Sequence, residues 1–401
     1  MIVRTALIIF LATAILTAAA YAQTRPTTVV LNGPELERLR AAQGSSSNAR
    51  LAEWVKVLTK QADRLVVNAK VYSVMNKSQT PPSGDKHDYM SQAPYWWPDP
   101  AKPNGLPYIR RDGQRNPDLS KISDSHEMGE MLDDVEILAF VYYFTHSEKY
   151  ADQAAKVLRA WFIDPKTKQN PNLNFGQGIP GISSGRGIGL IETRHLYRAI
   201  DASMLLAESK NWTPSDRENL KKWFSNFLRW MQESPIGKDE ADEHNNHGTY
   251  YDVQVVAYAI YTGQKNLAVK QLEVTKSRIK TQIEPDGRQP HELARTLSWG
   301  YTNMNLLGFF TLARLAESVD VDLWGFITLD GRSIKKAFEW LVQFIGNEKS
   351  WTFEQIKPRT YELTVQLLRT AAIKFKNPEY AAIAAKLDPK STDYDIRSIA
   401  F

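Results

Sequence analysis

Apolar residues that recur every three or four positions run through one segment of the chain after another, and this periodicity limits the folds open to it. Residues 49–72 contain no glycine or proline and carry such a stripe, which includes Leu51, Trp54 and Val66. This spacing is the period of an amphipathic α-helix. Strand-like alternation of apolar and polar residues is scarce. The sequence therefore predicts an all-α protein.

Ten further segments have similar spacing and are predicted helices. They are residues 125–145, 150–162, 190–208, 215–231, 250–261, 267–282, 302–318, 333–345, 361–375 and 378–387. The helix at 215–231 has a clear start, because Thr213 can cap it, Pro214 suits its first turn and Asp216 is acidic. Helix pairs in series without a repeat of fixed length fit either a solenoid or a toroid.

The composition fits a globular chain and removes several chemistries. The 401 residues are 43% hydrophobic and 24% charged, which is too apolar for a disordered chain. The lack of cysteine excludes disulfides, thiolate nucleophiles, iron–sulfur clusters and cysteine zinc sites. The net charge of +5 fits an acidic partner. We expect no nucleic-acid partner, because no arginine-rich helix or nucleic-acid-binding motif accompanies the charge.

Residues 1–22 are interpreted as a cleavable signal peptide. A short basic start precedes an apolar run, and Ala20-Tyr21-Ala22 fits the small-x-small cleavage pattern, with Gln23 as the new N-terminus. The alternative is a membrane anchor, but the run is shorter than the roughly 20 apolar residues that a span needs. No cysteine follows the cleavage site, which excludes a lipoprotein anchor.

Export of a chain without disulfides indicates a bacterial periplasm or the cell exterior. Cleavage after Ala22 removes one arginine and no acid, so 49 basic and 45 acidic residues leave a net charge of +4. We expect no membrane attachment after cleavage.

Two long stretches interrupt the helical pattern. Residues 76–118 are rich in proline, glycine and aromatic residues, and residues 165–189 are rich in glycine, asparagine and proline. Loops this long in a compact domain are usually functional or disordered. Because these two carry tryptophan, tyrosine, phenylalanine and arginine, we expect them to form the walls or lids of a cleft.

The densest polar run, residues 239–252, lies just before a predicted helix and contains the candidates Asn246 and His247. The alternative is an Asx-type turn, with an asparagine or Thr249 capping the helix. A metal site is also considered, because His244 and His247 are three residues apart. A zinc protease helix carries two histidines four apart, so we expect no metal here.

A second polar run, residues 288–303, contains Arg295 and Tyr301. The two side chains can approach one pocket if the segment is extended or loosely coiled. The alternatives are a core tyrosine with a satisfied hydroxyl and an arginine in a surface ion pair.

The aromatic run in the first long stretch is a candidate sugar-binding platform. It contains Tyr95, Trp96 and Trp97, and a sugar ring has an apolar face on which such side chains can stack. The alternative is a loop that covers its own hydrophobic patch.

These segments together resemble the alginate lyase family of polysaccharide lyases. The residues that carry the resemblance are Asn246-His247-Gly248-Thr249-Tyr250-Tyr251-Asp252, Arg295, Tyr301, Tyr95-Trp96-Trp97-Pro98-Asp99-Pro100, Asn170-Pro171-Asn172-Leu173 and Ile179-Pro180-Gly181. The likeness covers roughly residues 85–345. It implies that residues 23–401 form one incomplete (α/α) toroid, a monomer without cofactor or metal. Its cleft would bind an anionic polysaccharide, alginate or a related polyuronate.

By position, the resemblance implies that Asn246, His247 and Arg295 surround the substrate carboxylate and that Tyr301 transfers the proton. The implied reaction is β-elimination, which takes the C5 proton of a uronate, expels O4 and leaves a double bond. Negative charge then grows beside a carboxylate, so a cation and hydrogen-bond donors there lower the barrier. One charge pair about 4 Å apart is worth on the order of 4 kcal/mol at an effective dielectric near 20.

The base must also lose its own proton near neutral pH. Free tyrosine has a pKa of about 10, and we expect Arg295 and His247 to lower the pKa of Tyr301. In β-mannuronate the C5 proton and O4 lie on the same side, so Tyr301 could serve both. In α-guluronate they lie on opposite sides, which makes His247 the candidate base.

Further candidates follow from position in the sequence. Gln177 and Arg186 in the second long stretch are expected to contact carboxylates or hydroxyls, and Tyr250 is expected to line the cleft. His126 and His195 are further candidates for cleft residues.

Other functions stay open at this point. A related toroid lyase could cut glucuronan or another polyuronate. An (α/α)-barrel glycoside hydrolase would need two carboxylates that flank the bond. Glu192, Asp242, Glu243 and Glu292 are available for that role. A non-catalytic binding protein for acidic glycans would need none of these reactive groups.

Overall fold

The computed structural model describes residues 28–43 and 49–387. The predicted signal peptide and its cleavage site lie outside the described residues. Fourteen α-helices make up most of the described part. They are α1 (Gly33–Ala41), α2 (Ala49–Asn68), α3 (Asp124–Thr145), α4 (Glu148–Phe162), α5 (Tyr197–Leu205), α6 (Pro214–Glu233), α7 (Pro235–Asp242), α8 (Asn246–Thr262), α9 (Lys265–Gln282), α10 (Pro290–Leu293), α11 (Ser298–Glu317), α12 (Ile334–Val342), α13 (Glu362–Lys374) and α14 (Pro378–Leu387).

The remaining regular structure is short. The strands are β1 (Met90–Gln92), β2 (Trp96–Trp97), β3 (Ile109–Arg110) and β4 (Phe175–Gly178), and the 3₁₀ helices are Val74–Asn76, Pro117–Lys121, Gly187–Thr193 and Glu348–Ser350. β1 pairs with β4 in parallel, and β2 pairs with β3 in an antiparallel hairpin. The β1–β4 pair joins residues 76–118 to residues 165–189. The two stretches that were expected to form cleft walls are therefore hydrogen-bonded to each other.

The helices form two layers. Five of them, α3, α5, α8, α11 and α13, make an inner layer in which each helix contacts the next. The helices α2, α4, α6, α9, α12 and α14 pack outside them, each against an inner helix or against a neighbouring outer one. One continuous cluster of buried hydrophobic residues, from Val29 to Ala384, fills the space between the layers. The all-α prediction and the incomplete (α/α) toroid of antiparallel helix pairs are confirmed.

The inner and outer helices differ in how their surfaces are used. In α8 the buried residues surround the helix axis, whereas in α6 they follow one stripe that includes Leu220, Phe224 and Met231. An apolar stripe buries one face of an outer helix, while a helix that is apolar on most sides must lie inside. The predicted start of α6 is confirmed, because Thr213 and Asp216 form a reciprocal capping box.

Four predicted helices need correction, and the first of them, 49–72, ends at Asn68, four residues earlier than predicted. The segment 190–208 is not one helix, because the 3₁₀ helix Gly187–Thr193 and α5 are separated by a turn. Within the 3₁₀ helix, the Glu192 carboxylate accepts hydrogen bonds from Tyr89 and Ser91, so tertiary contacts decide the local path of the chain. Helices α8 and α11 each begin four residues earlier than predicted. The polar residues at their starts therefore belong to first helical turns.

A buried ion pair anchors the first long stretch to the inner layer. Lys77 Nζ lies 3.0 Å from Asp124 Oδ2, and both side chains are fully buried. The same ammonium donates hydrogen bonds to the carbonyl oxygens of Val74 and Lys86. Burial lowers the pKa of Lys77 and raises the pKa of Asp124 to about 6, although each partner opposes the shift of the other.

No helix of the described residues has the length and apolar character needed to cross a membrane.

Replacement of Lys77 by methionine should destabilise the fold strongly. It would leave the Asp124 carboxylate buried without its cation, and removal of one partner of a buried pair costs about 3–5 kcal/mol. The control is Lys70→Met, because Lys70 pairs with Glu130 at the surface, where a pair is worth about 1 kcal/mol or less. Urea unfolding of both variants measures the difference, and equal losses of unfolding free energy would contradict this account of the anchor.

Candidate active site

A cleft of about 980 Å³ opens where the inner helices meet the two long stretches. Residues from the first turn of every inner helix line it: Ser125 of α3, Tyr197 of α5, Asn246 of α8, Tyr301 of α11 and Leu363 of α13. The N-terminal end of a helix carries partial positive charge and unpaired backbone N–H groups. Five such ends around one cleft make it suited to an anionic ligand.

The start of α8 places Asn246 and His247 side by side. The Asn245 side chain caps the helix and accepts the His247 backbone N–H at 2.8 Å. An asparagine cap was one of the two sequence interpretations of this run, and here it coexists with the site. A Cβ on Gly248 would lie 2.1 Å from Arg278 Nη1, so only glycine admits that guanidinium. Arg278 in turn forms a buried ion pair with Asp252 at 2.9 Å.

A buried carboxylate lies behind His247. Glu240, the seventh residue before it, is fully buried, and its Oε1 lies 3.0 Å from His247 Nδ1. Burial raises the pKa of Glu240, and His247 opposes that shift. When Glu240 is ionised, His247 must carry a proton on Nδ1. The nitrogen whose protonation can change is then Nε2. The neutral ring then offers a lone pair at Nε2, and the imidazolium ring offers an N–H there.

A second buried carboxylate holds Asn246. Glu292 accepts the Asn246 backbone N–H at 2.7 Å and one hydrogen of its amide nitrogen at 2.8 Å. Burial raises the pKa of Glu292 to about 7, although the bonds from Asn246 and the charges of Arg295 and His247 oppose the shift. Asn246 Oδ1 is buried without a hydrogen-bond partner. The second hydrogen of the amide nitrogen stays available to a ligand.

Arg295 and Tyr301 meet in the same cleft, together with two residues of the first long stretch. Arg295 Nη2 donates to Tyr301 Oη at 2.8 Å, and its guanidinium carbon lies 3.8 Å from the centre of the tyrosine ring. Tyr95 Oη lies 2.7 Å from Tyr301 Oη. On the other side, Arg295 donates to Asp112 through Nε at 3.1 Å and Nη2 at 2.7 Å.

The expected pKa of Tyr301 needs correction. Burial raises it well above that of free tyrosine, and Tyr95 and Asp112 add to the increase. Arg295 lowers it, as the sequence predicts, but its effect is smaller than that of burial. Tyr301 is therefore a neutral phenol in the free protein.

Gln177 and Arg186 lie in the wall that the second long stretch forms. Arg186 donates to Gln177 Oε1 at 2.8 Å, while its Nε is buried without a hydrogen-bond partner. No carboxylate among the described residues lies within ion-pair distance of this guanidinium. Burial and the nearby Arg110 lower the pKa of Arg186 to about 10. Glu192, Glu240 and Glu243 oppose this shift from a distance. A cation in a cleft without an ion-pair partner is suited to bind an anion.

Strain supports a functional role for this wall. Gln177 has a backbone φ of +50°, which a side chain with a Cβ adopts at an energetic cost. The residue is 5% exposed, and its backbone N–H donates to Ser91 Oγ at 2.8 Å. Backbone strain of this kind persists where the surrounding contacts enforce it, often at binding sites.

The aromatic candidates separate. Tyr95 and Trp96 line the cleft, whereas Trp97 does not belong to its lining. Successive residues of a strand face opposite sides, and Trp97 Nε1 donates to the Gln114 carbonyl behind the hairpin. The expected place of Tyr250 is corrected, because its ring is buried behind the cleft and its hydroxyl donates to the Met304 carbonyl at 3.0 Å.

The other histidines have different surroundings. His195 lines the cleft, whereas His126 is exposed and faces Glu130 on the surface of α3. His244 packs against His291, with ring centres 4.5 Å apart. Within residues 28–43 and 49–387, no cluster of three or more histidine, aspartate or glutamate side chains could hold a metal ion.

The carboxylates considered for a hydrolase differ in where they lie and in what they bind. Glu292 is 1% exposed and engaged with Asn246, and Glu192 accepts hydrogen bonds from two side chains of the first long stretch. Asp242 is exposed and outside the cleft lining, whereas Glu192 and Glu243 belong to that lining. Two carboxylates on opposite sides of one glycosidic bond are needed for hydrolysis.

Comparison with known proteins agrees with this geometry. The sequence model of the alginate lyase family matches residues 73–351. The crystal structure of an alginate lyase from Bacteroides ovatus is 41% identical, with a TM-score of 0.88, over 94% of this chain and 99% of that one. No curated protein matches the chain.

More distant structures share the fold. Alginate lyase A1-III from Sphingomonas species A1 is 16% identical, with a TM-score of 0.53, over 88% of this chain and 89% of that one. A histidine-to-alanine variant of alginate lyase A1-III complexed with a tetrasaccharide is 18% identical, with a TM-score of 0.52, over 84% of this chain and 82% of that one.

These matches define the class of the protein, which is a polysaccharide lyase and so an enzyme of the carbon–oxygen lyase group. Within that class the chain belongs to the alginate lyase family. The hydrolase and binding-protein alternatives are thereby set aside.

Sequence reasoning missed three acidic residues at the site. Asp112 follows two arginines in the aromatic stretch, Glu240 lies in the acidic run before His247, and Glu292 was considered only as a hydrolase carboxylate. Their partners lie between 7 and 183 residues away along the chain. An acid close to predicted cationic residues is a weak signal, because most such acids are solvated.

The buried Glu292 should make stability depend on pH. Its pKa is about 7 in the folded state against an ordinary value of 4.5. Between these values only the folded state keeps the proton, so its stabilising effect is lost as pH rises, by roughly 3 kcal/mol in total. Glu292→Gln should remove this slope from the unfolding free energy measured in urea at pH 4.5 to 7.5.

The control for that measurement is Glu233→Gln, because Glu233 is exposed. It should keep the pH slope of the parent protein. If Glu292→Gln also kept the full slope, the carboxyl group of Glu292 would not be its source.

Proposed function

We propose that the protein cleaves a polyuronate, alginate before others, by β-elimination. The observation that carries the proposal is that Asn246, His247, Arg295 and Tyr301 all line one cleft, with Arg295 Nη2 2.8 Å from Tyr301 Oη. The choice of alginate is supported by the 41% identical relative, which is an alginate lyase. Glucuronan and other polyuronates are the alternative substrates.

In the proposed reaction Tyr301 Oη takes the C5 proton of the uronate. The C5–H and C4–O4 bonds break, a C4–C5 double bond forms, and O4 leaves with a proton. The oxygen must be a phenolate when it acts as base, so the phenol first loses its own proton to solvent. Arg295 Nη2 and the Tyr95 hydroxyl both lie within hydrogen-bond distance of this oxygen and can donate to its ionised form. In β-mannuronate Tyr301 can then return the proton to O4.

The substrate carboxylate is proposed to lie at the start of α8. Asn246 offers the free N–H of its amide, and His247 offers Nε2–H when the ring is protonated. The partial positive charge at the N-terminal end of α8 adds to these donors. Donors that are already in place stabilise the charge that grows on the carboxylate in the transition state.

His247 is proposed to take the C5 proton of α-guluronate, while the neutral phenol of Tyr301 gives its proton to the leaving O4. The C5 proton and O4 of this sugar lie on opposite sides, so Tyr301 cannot serve both. With Glu240 holding the proton on Nδ1, the neutral ring presents an unprotonated Nε2. His247 therefore needs opposite protonation states for carboxylate binding and for proton abstraction.

Export to the periplasm or exterior and the monomeric state stay predictions from the sequence.

Tyr301→Phe should abolish turnover while substrate binding stays within about threefold. The substitution removes the proton-transferring oxygen and keeps the ring, and loss of a general acid–base group costs about 10²–10⁴ in rate. The assay follows ultraviolet absorbance of unsaturated ends on polymannuronate, polyguluronate and glucuronan.

The matched control is Tyr380→Phe on α14, whose ring packs against Phe338 away from the cleft. It should keep the parent rate. The proposed mechanism would be contradicted if Tyr301→Phe still produced unsaturated ends at the parent rate on any of the three polymers.

Arg186→Met should weaken binding of the polymer at least about tenfold, because the cleft loses a cation that has no acidic partner. The free energy of unfolding should stay within about 1 kcal/mol or rise, since an unpaired buried charge is itself costly. Calorimetric titration with an alginate oligomer measures the first quantity and urea unfolding the second.

Arg229→Met is the control for this pair of measurements, because Arg229 is exposed on α6, where it bonds to Asn226. Unchanged affinity in Arg186→Met would show that this guanidinium is not part of the binding surface.

A further inference from the structure

The carboxylate of Asp112 is held firmly in the turn that follows β3. Besides two bonds from Arg295, its Oδ2 accepts the Thr296 hydroxyl at 3.0 Å, and its Oδ1 lies 2.8 Å from Arg110 Nη2. The next residue, Gly113, has φ +70°, and a Cβ there would lie 2.6 Å from Thr296 Oγ1. Only glycine lets this turn approach the segment that carries Arg295 so closely.

The Asp112 carboxylate occupies one edge of the Arg295 guanidinium. The Nε and Nη2 edge is the fork that binds a carboxylate through two parallel hydrogen bonds, and Asp112 occupies it. The arginine and aspartate side chains are 18% and 20% exposed. A substrate carboxylate at this edge would have to displace a shielded, multiply bonded anion.

The Nη2 end of this same edge also faces Tyr301. Arg295 Nη2 donates to the tyrosine oxygen, and its guanidinium carbon lies 3.8 Å from the ring centre. The β2–β3 hairpin holds this geometry. The Arg111 N–H donates to the Tyr95 carbonyl at 2.7 Å, and Tyr95 Oη lies within hydrogen-bond distance of Tyr301 Oη. Both Asp112 and Tyr95 therefore belong to one hairpin that covers the arginine–tyrosine pair.

We infer that Asp112 is a positioning residue: it holds Arg295 against Tyr301, so that the guanidinium stabilises the tyrosine oxygen and is not the main ligand of the substrate carboxylate. This inference rests on the proposed role of Tyr301 in proton transfer. Carboxylate recognition then falls to Asn246, His247 and the unpaired Arg186. Asp112 itself touches neither substrate nor reacting atoms.

The test compares Asp112→Ala, Arg295→Ala and the double variant on polymannuronate. If Asp112 acts through Arg295, each single variant should lose at least about tenfold in kcat, with KM changed less than about threefold. The double variant should then be within about threefold of Arg295→Ala, because both changes remove one interaction. Asp112→Glu keeps the charge and should recover part of kcat.

Two controls keep the result interpretable. Asp118→Ala removes an acid of the same stretch that pairs with Lys121 at the surface, and it should leave kcat and KM unchanged. Asp112→Asn keeps the size of the side chain and replaces the alanine variant if that variant does not fold. Melting temperature of every variant is measured first.

Two outcomes would overturn the inference. If Asp112 were a stand-in that the substrate displaces, Asp112→Asn would lower KM and leave kcat unchanged. If Arg295 mainly bound the carboxylate, Arg295→Ala would raise KM while kcat changed little, and its effect would add to that of Asp112→Ala. Failure of the proposed function is recognised separately, because Tyr301→Phe would then stay active.

Discussion

The parallel alignment of the five inner helices is the constraint on which the site depends. Each inner helix is followed or preceded by an outer one, so the chain returns to the same end of the toroid before the next inner helix begins. All five N-terminal ends thus meet at one cleft, and Asn246, His247 and Tyr301 lie in first helical turns there. The positive ends of the helix dipoles then act together on whatever anion enters.

Acidic side chains behind this surface set the state of the polar groups in front. Glu240 fixes which nitrogen of His247 carries a proton, Glu292 orients the amide of Asn246, and Asp112 engages Arg295. Burial raises the pKa of both glutamates, whereas Asp112 is different, because the hydrogen bonds and charge of Arg295 outweigh burial and hold its pKa low. The cleft consequently meets its ligand with Arg295 and His247 already engaged and with Arg186 as a cation that has no ion-pair partner among the described residues.

The sequence predicted the helical layers well, because each outer helix carries its own apolar stripe. It also identified Asn246, His247, Arg295 and Tyr301, which lie in two short runs that resemble a known family. It could not predict the pKa of Tyr301, since burial and the contact with Tyr95 depend on residues about 200 positions apart. The position of Tyr250 was missed for a similar reason, because a helix tyrosine beside a site can face either the cleft or the core.

The described segment before α1 has a consequence for how the inner helices are held together. Val29, Val30 and Leu31 are buried, and their backbone N–H groups donate to the Asp201 carboxylate on α5. Val30 and Leu31 line the far part of the cleft beside Thr311, ten residues and so about 15 Å along α11 from Tyr301. Arg314 on α11 donates to the Leu31 carbonyl at 3.2 Å, so this segment ties α5 to α11 across the inner layer, at a distance from the polar residues that face the ligand.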